Sequence, residues 1–380
     1  MRVFLGVLLD HPELLKTEGA TKLNEALNQR GLSQLRFLPR LALVTDSANL
    51  VTEDEARALT AVRVYAELVV TMKAYHGVRE PEIPEVLRAR LLTAVQTAVD
   101  LLHDAPEWLL SAATFRDPDE YRVVHSVNMC LLVLCLGHRV ELSRKSLMNL
   151  GLAALYADSG LRLLDFDLTM APGGRDAMER HPLLSVAEIL QTPALTRAQR
   201  DRIVVAYEHH TGRDGSGYPP RISGKPKHLF SSLVGIVDRF DELSSERHGA
   251  AALPAPEAME AMNREIAHHD PRLLAIFFHM MGPYPVGTVL ELSTGEVAVV
   301  FRPATDHRFV GRPLVKIARD AEGRQVPPTL FDLCEGSAEG DFLAHIRRVL
   351  PPSGLGGMTP AQVLFFQDEG IDGTERPRWD

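Results

Sequence analysis

The chain has 380 residues, enough for two or three domains with a large core. Hydrophobic residues make up 45% and charged ones 24%, an ordinary globular balance, while 41 basic against 50 acidic residues leave a net charge of −9. That charge excludes a general binder of nucleic acid polymers or anionic membranes, so any phosphate-bearing ligand needs a local site.

The first residues, MRVFLGVLLDHPELL, hold an apolar run broken by Asp10, His11 and Pro12, too short for a membrane span and without a small-residue cleavage site. Nowhere does an uncharged apolar stretch reach the roughly 18 residues a spanning helix needs. Cys130, Cys135 and Cys334 are odd in number and form no CxxC pair, which points to a reducing compartment. The expectation is a cytoplasmic protein without a membrane span. Residues 1–50 read as a small mixed α/β segment, with a helix near Ala20–Arg30, a stop at Gly31 and strand-like character over Leu35–Val44.

Residues 51–115 read as two helices. Thr52 to Glu55 resembles a capped start, and Leu59, Val62, Tyr65, Leu68, Val69 and Met72 repeat at helical spacing to about Tyr75. The second helix runs from Pro84 to His103. The pair is either a stalk for dimerisation or sensing, which would give a homodimer through these helices, or a plain pair packed on the core. His103-Asp104 is a decoy for a His-Asp motif, because Ala105-Pro106 ends the helix at once.

From Asp117 to about Ser245 the pattern is helical, with turns at Gly151, Gly160, Pro172 to Gly174 and Pro193. His125 opens a strongly apolar helix. Asp158 and Gly160 follow an apolar run, His181 precedes Pro182, and His209-His210 leads into Gly212-Arg213-Asp214-Gly215-Ser216-Gly217-Tyr218-Pro219. There Gly215, Gly217 and Pro219 fix the path of Tyr218. His268-His269 is a second pair with nothing around it that looks like a site. Asp238 sits in the apolar helical run Ile236 to Leu243, and residues 246–282 form a helical tail. Val286–Leu292 and Glu296–Phe301 alternate around Thr294-Gly295, a hairpin signal, and Pro313–Ile317 adds a strand. From about Pro351 the chain is rich in Gly and Pro and reads as loosely ordered.

The stretch from His209 to Pro219 resembles the signature of the HD-GYP family, a branch of the HD metal-dependent phosphohydrolases associated with hydrolysis of cyclic di-GMP. The resemblance extends from about Tyr121 to about Val315. It implies a mainly α fold with an HD-GYP-type helical core over 116–282 and a small β-extension over 283–320 acting as lid or platform, while the composition of 321–380 reads as a partly disordered tail. It also implies a metal site of His125, Asp158, His181, His209, His210 and Asp238, with Asp158 the catalytic, bridging carboxylate. Such nitrogen and oxygen donors suit divalent Fe or Mn better than Zn or Mg, and a two-metal site of this type makes hydroxide available near neutral pH to attack phosphorus.

Several family positions are changed. Ala157 stands where the motif histidine belongs, Leu161 where a lysine belongs, Thr211 where glutamate is usual and Ala250 where a basic residue is usual, while Tyr121 sits where some members have an acidic ligand. Arg247 remains at a phosphate-contacting position, and Tyr218, Gly217 and Pro219 line the expected substrate side. The loop then has three candidate roles: to stack a base in a ligand pocket, to dock a GGDEF-type protein, or to hold a helix end. Two functions of different class follow. One is a degenerate module of cyclic di-GMP signalling, impaired in hydrolysis and acting through ligand or protein binding. The other is an active metal-dependent phosphodiesterase for cyclic di-GMP or a related nucleotide, with another group filling the Ala157 gap.

Overall fold

A computed structural model describes residues 53–78, 83–164, 178–191, 196–220, 226–246, 251–304, 306–336 and 341–365. The mixed segment expected at 1–50 lies outside these residues, as do Arg247 and Ala250. Helices α1 (Glu53–Gly77) and α2 (Glu85–Asp104) stand where their periodicity puts them, and α3 (Pro106–Ala112) follows after one residue. Leu68 and Met72 of α1 and Leu91 and Leu102 of α2 are buried in the same apolar cluster as α4 (Tyr121–Arg139) and α8 (Leu229–Ser244). The helical pair is therefore part of the core. Helix α4 is long and apolar enough to cross a membrane by length and composition, yet its residues from Val123 to Gly137 are buried inside the protein.

The helices that follow are placed by their ends. Ser143 caps α5 (Arg144–Ala157) by accepting the Ser146 amide at 3.3 Å, a cap that typically contributes about 1 kcal/mol, and α5 then runs out at Ala157 so that Asp158 becomes its C-terminal cap. A short 3-10 turn, Ser159–Leu163, leads away. Pro182 in the first turn starts α6 (His181–Ile189), where its missing N–H costs nothing. Thr196 caps α7 (Arg197–Glu208), which ends at His209. Gly160 is required here, because a Cβ on it would lie 2.5 Å from both the His181 carbonyl and the Ser185 amide. That close approach brings Asp158 against α6. Helices α9 (Ala255–Arg264) and α10 (Pro271–Met281) complete the helical body, Asp270 capping the latter.

The C-terminal sheet is larger than the sequence suggests. Its five antiparallel strands, β1 (Val289–Leu292), β2 (Val297–Arg302), β3 (Leu314–Arg319), β4 (Gln325–Asp332) and β5 (Ile346–Leu350), lie in the order β4-β3-β2-β1-β5. The extension expected to stop near 320 thus reaches Leu350. Pro327-Pro328 argues against a strand from sequence alone, but β4 is an edge strand and the two prolines fall in the irregular stretch between its Gln325 and Thr329 pairings with β3. At the other edge Arg347 and Arg348 on β5 reach Glu291 at 2.8 and 2.6 Å, a pairing no local pattern reveals. Residues 351–365, expected to be loose, carry a 3-10 turn and α11 (Pro360–Phe365). Phe365 stacks on Phe115 at 5.5 Å, and Trp108 meets Phe301 at 4.8 Å, so the sheet is seated on α3. The rest of the tail, 366–380, lies outside the described residues.

Candidate metal centre

The six side chains named from the sequence come together from five places in the fold: His125 on α4, Asp158 at the end of α5, His181 at the start of α6, His209 and His210 after α7, and Asp238 on α8. His125, Asp158, His181, His209 and Asp238 are buried and His210 nearly so, among helices whose other faces are apolar. Donor atoms of Asp158, His181, His209 and His210 all lie within 4.8 Å of one another. On the other side of Asp158, His125 Nε2 is 3.4 Å from Asp158 Oδ2 and 3.1 Å from Asp238 Oδ1, and His210 Nδ1 is 3.1 Å from Asp238 Oδ2.

The tautomers are set by the backbone. His181 Nδ1 donates to the Met178 carbonyl at 2.7 Å, and His209 Nδ1 donates to the carbonyls of Val205 and Ala206, both at 3.0 Å. Burial, followed by the nearby His210, lowers the His209 pKa to about 4, so this ring is neutral near pH 7. The neutral His209 ring is left with a lone pair at Nε2, and His181 turns its Nε2 to the same point. These two nitrogens lie 3.4 Å apart, and 3.0 and 3.2 Å from Asp158 Oδ1. Asp158 is held well below the ordinary carboxylate range: burial opposes this, but His125, His181 and His209 outweigh it. A carboxylate oxygen and two imidazole nitrogens converging this closely need protons or a cation among them, and this donor set fits a divalent metal. Asp238 is likewise held low, against burial, by His210 and His125.

Sequence reasoning missed the groups behind His125. Its Nδ1 lies 2.8 Å from Asp241 Oδ2, while Asp241 Oδ1 lies 3.2 Å from Arg116 Nη2 and 3.2 Å from Asn128 Nδ2. Burial would raise the Asp241 carboxyl, but Arg116 and His125 lower it, and the fully buried carboxylate fixes the ring so that Nε2 faces Asp158 and Asp238. Burial would also discharge His125, yet Tyr121, whose ring stacks on it at 5.2 Å, and hydrogen bonds with Asp158, Asp238 and Asp241 keep its pKa well above the usual value. The signal was helical spacing: Asp241 is three residues after Asp238 and Asn128 three after His125, so each shares a face with its partner. Asp241→Asn is expected to weaken metal binding roughly 10–100-fold and, because it removes the buried charge that faces Arg116 and His125, to lower the melting temperature of the chelated protein as well, checked by metal titration and thermal melts.

The departures from the family pattern are also in place. Ala157 is fully buried beside Asp158 and Leu161 is 6% exposed, so neither position offers a ligand or a charge. Thr211 is buried, its hydroxyl donating to the Glu208 carbonyl at 2.8 Å. The decoy pair His103-Asp104 is exposed at the end of α2.

The loop after His210 is held from inside. Thr211 and Gly217 form an antiparallel bridge, the Gly212 amide donates to the Ser216 carbonyl at 2.7 Å, and the Tyr218–Pro219 peptide is cis. Gly217 has φ +81°, and a Cβ there would collide with the His210 carbonyl, so only glycine serves. The Tyr218 ring lies over His210 at 4.7 Å and meets His181 edge-on at 6.1 Å, so the loop bears directly on two of the gathered histidines. Lys227 Nζ braces the same stretch, donating to the carbonyls of His209 and Thr211 at 3.3 and 2.7 Å.

Comparison with known proteins agrees with this geometry. A Pseudomonas aeruginosa protein named a cyclic di-GMP phosphodiesterase is 28% identical over 294 residues, 75% of this chain and 69% of its own. A Vibrio cholerae protein named a 3'3'-cGAMP-specific phosphodiesterase is 26% identical over 152 residues, 38% of this chain and 32% of its own. Among solved structures, a HDG"Y"P protein from Bdellovibrio bacteriovorus matches with a TM-score of 0.50 at 15% identity, covering 68% of this chain and 79% of that one, a likeness of fold. The family model described as HD domain matches residues 96–273. That match runs from the middle of α2 to the first turn of α10 and so takes in every helix that carries a gathered histidine or aspartate: the chain carries an HD domain, similar to that of cyclic di-GMP phosphodiesterases.

Proposed function

We propose that this chain is a module of cyclic di-GMP signalling that holds one divalent metal tightly, at Asp158, His181, His209 and His210, and binds a cyclic dinucleotide with hydrolysis impaired. The convergence of His181 Nε2, His209 Nε2 and Asp158 Oδ1 within 3.0–3.4 Å carries the reading, because it fits a cation on that side. The opposite side keeps His125 and Asp238 but has the Ala157 methyl where a further ligand would stand. Nitrogen and carboxylate donors without thiolate favour Fe or Mn. Such a metal, when bound, polarises a phosphodiester. The residues' own work is then to bind and orient: Asp158 faces both sides, Asp241 aims His125, and Tyr218, Gly217 and Pro219 shape the edge over His210. The Leu161 side chain itself supplies no charge to offset that on the phosphate.

A second reading, a working phosphodiesterase, is favoured by one observation. Arg122 Nη1 reaches the Leu161 carbonyl at 3.1 Å, and burial lowers its pKa while the Asp158 charge pushes the other way, which puts a guanidinium near the lost lysine position. The two separate by metal analysis of protein purified without chelator, a cyclic di-GMP binding measurement, and a turnover assay with added Mn or Fe. Near one metal per chain, saturable binding and negligible turnover are expected, with Ala157→His and Leu161→Lys together raising turnover on the order of 10²-fold. Robust wild-type turnover that Asp158→Ala abolishes would overturn the impaired reading.

A further inference from the structure

We propose that a cleft of about 480 Å³ beside the His210–Pro219 loop is a second binding site, taking the phosphate group of a small phosphorylated molecule of mononucleotide size. The cleft lies between that loop and the His268–Asp270 turn, and it uses none of the side chains gathered at the metal centre. His268 and His269 thus acquire surroundings that their sequence neighbours do not suggest. The Arg213 amide donates to the His268 carbonyl at 2.8 Å, and Ser216 Oγ lies 2.9 Å from His268 Nδ1, so loop and turn form one wall.

Three features of the lining select an anion. Arg213 and Lys227 bring two positive charges to it. The acidic side chain in the lining is Asp270, whose Oδ1 accepts the amides of Arg272 and Leu273 at 2.9 and 3.2 Å, so its charge is engaged by the start of α10. His269 is 5% exposed and its Nε2 is buried without a hydrogen-bond partner among the described residues, a polar group left for a ligand to satisfy. Burial pulls the His269 pKa to about 4, so it enters as a neutral hydrogen-bonding ring beside the two cations. A phosphate spans such a set, with charge-assisted bonds to Arg213 and Lys227 and one further bond to the imidazole. The volume exceeds that of a bare phosphate and suits a molecule with a nucleoside-sized remainder. Lys227 also holds the carbonyls on either side of His210, so one ammonium group touches both the cleft and the metal-site backbone.

The test is a titration of the full chain with inorganic phosphate and with GMP, followed by 31P line broadening, in wild type and in Asp158→Ala, which disables the metal centre. Saturable binding retained in Asp158→Ala is expected, tighter for GMP than for phosphate. Arg213→Glu at the exposed loop should weaken it at least tenfold with the melting temperature unchanged, Arg213→Lys should restore most of it, and His269→Phe should weaken it several-fold. Binding that disappears in Asp158→Ala, or that Arg213→Glu leaves untouched, would overturn the site. GMP binding no tighter than phosphate would overturn the assigned ligand size.

Discussion

Replacing His209 by alanine is expected to strip the protein of its tightly held metal, while replacing His125 leaves that metal in place. His209 contributes one of the two Nε2 atoms that meet Asp158 Oδ1, on the side where four donors lie within 4.8 Å. His125 serves the other side, which Ala157 leaves a ligand short. Losing a ligand from the fuller set costs more than the roughly 10–100-fold typical of changes behind a ligand, and so removes most of the metal at micromolar protein. The readout is metal content after gel filtration together with the melting temperature with and without chelator. A metal present at about a hundred times its dissociation constant stabilises the folded state by about 2.7 kcal/mol, or roughly 5–10 °C for a domain of this size. Chelator should remove that increment from wild type and from His125→Ala, and have none to remove from His209→Ala. Equal loss in both variants would mean that the two sides hold metal only as a unit.

What the sequence made legible follows from the range of the forces involved. The helices were readable because burial on one face imposes a local period, as in Leu68 and Met72 or Phe230, Leu233, Val234 and Val237. The gathered donors were readable because their motifs carry fixed neighbours: proline after His181, glycines and proline after His210. Asp241, Arg116 and Asn128 were not, since each acts through another side chain and leaves no mark beyond a polar residue in an apolar run. The surroundings of the His268 pair were not legible for a related reason. Its partners, Arg213 and Ser216, are more than fifty residues away and meet it only through tertiary packing. Strands β4 and β5 were lost because edge position, which makes two prolines and two arginines tolerable, is a property of the sheet and not of the segment.

The largest expected loss of stability lies behind α6. Glu188→Ala should destabilise the protein by about 3–5 kcal/mol in a denaturant titration, because it leaves buried partners behind. The Glu188 carboxylate sits 3.0 Å from Arg162 Nε and accepts the Tyr75 hydroxyl, with the Arg162 and Glu188 side chains 2% and 3% exposed. Arg162 also donates to the Val78 carbonyl at 2.8 Å, so the group ties α1 to the helix whose first residue is His181. Burial raises the Glu188 pKa in spite of Tyr75 and Arg162, which means desolvation outweighs the pairing and the ion pair is not itself a net source of stability. Two opposite outcomes follow from that sign. Removing one partner strands a buried charge and is costly, whereas Glu188→Leu combined with Arg162→Met removes both charges and should recover most of the loss, leaving chiefly the unpaired Tyr75 hydroxyl. Because α6 presents His181, the single variant should also weaken metal binding, and the double variant should restore it in step with stability. If the double variant is no more stable than the single, the pair contributes more than its desolvation cost and the order of effects assigned here is reversed.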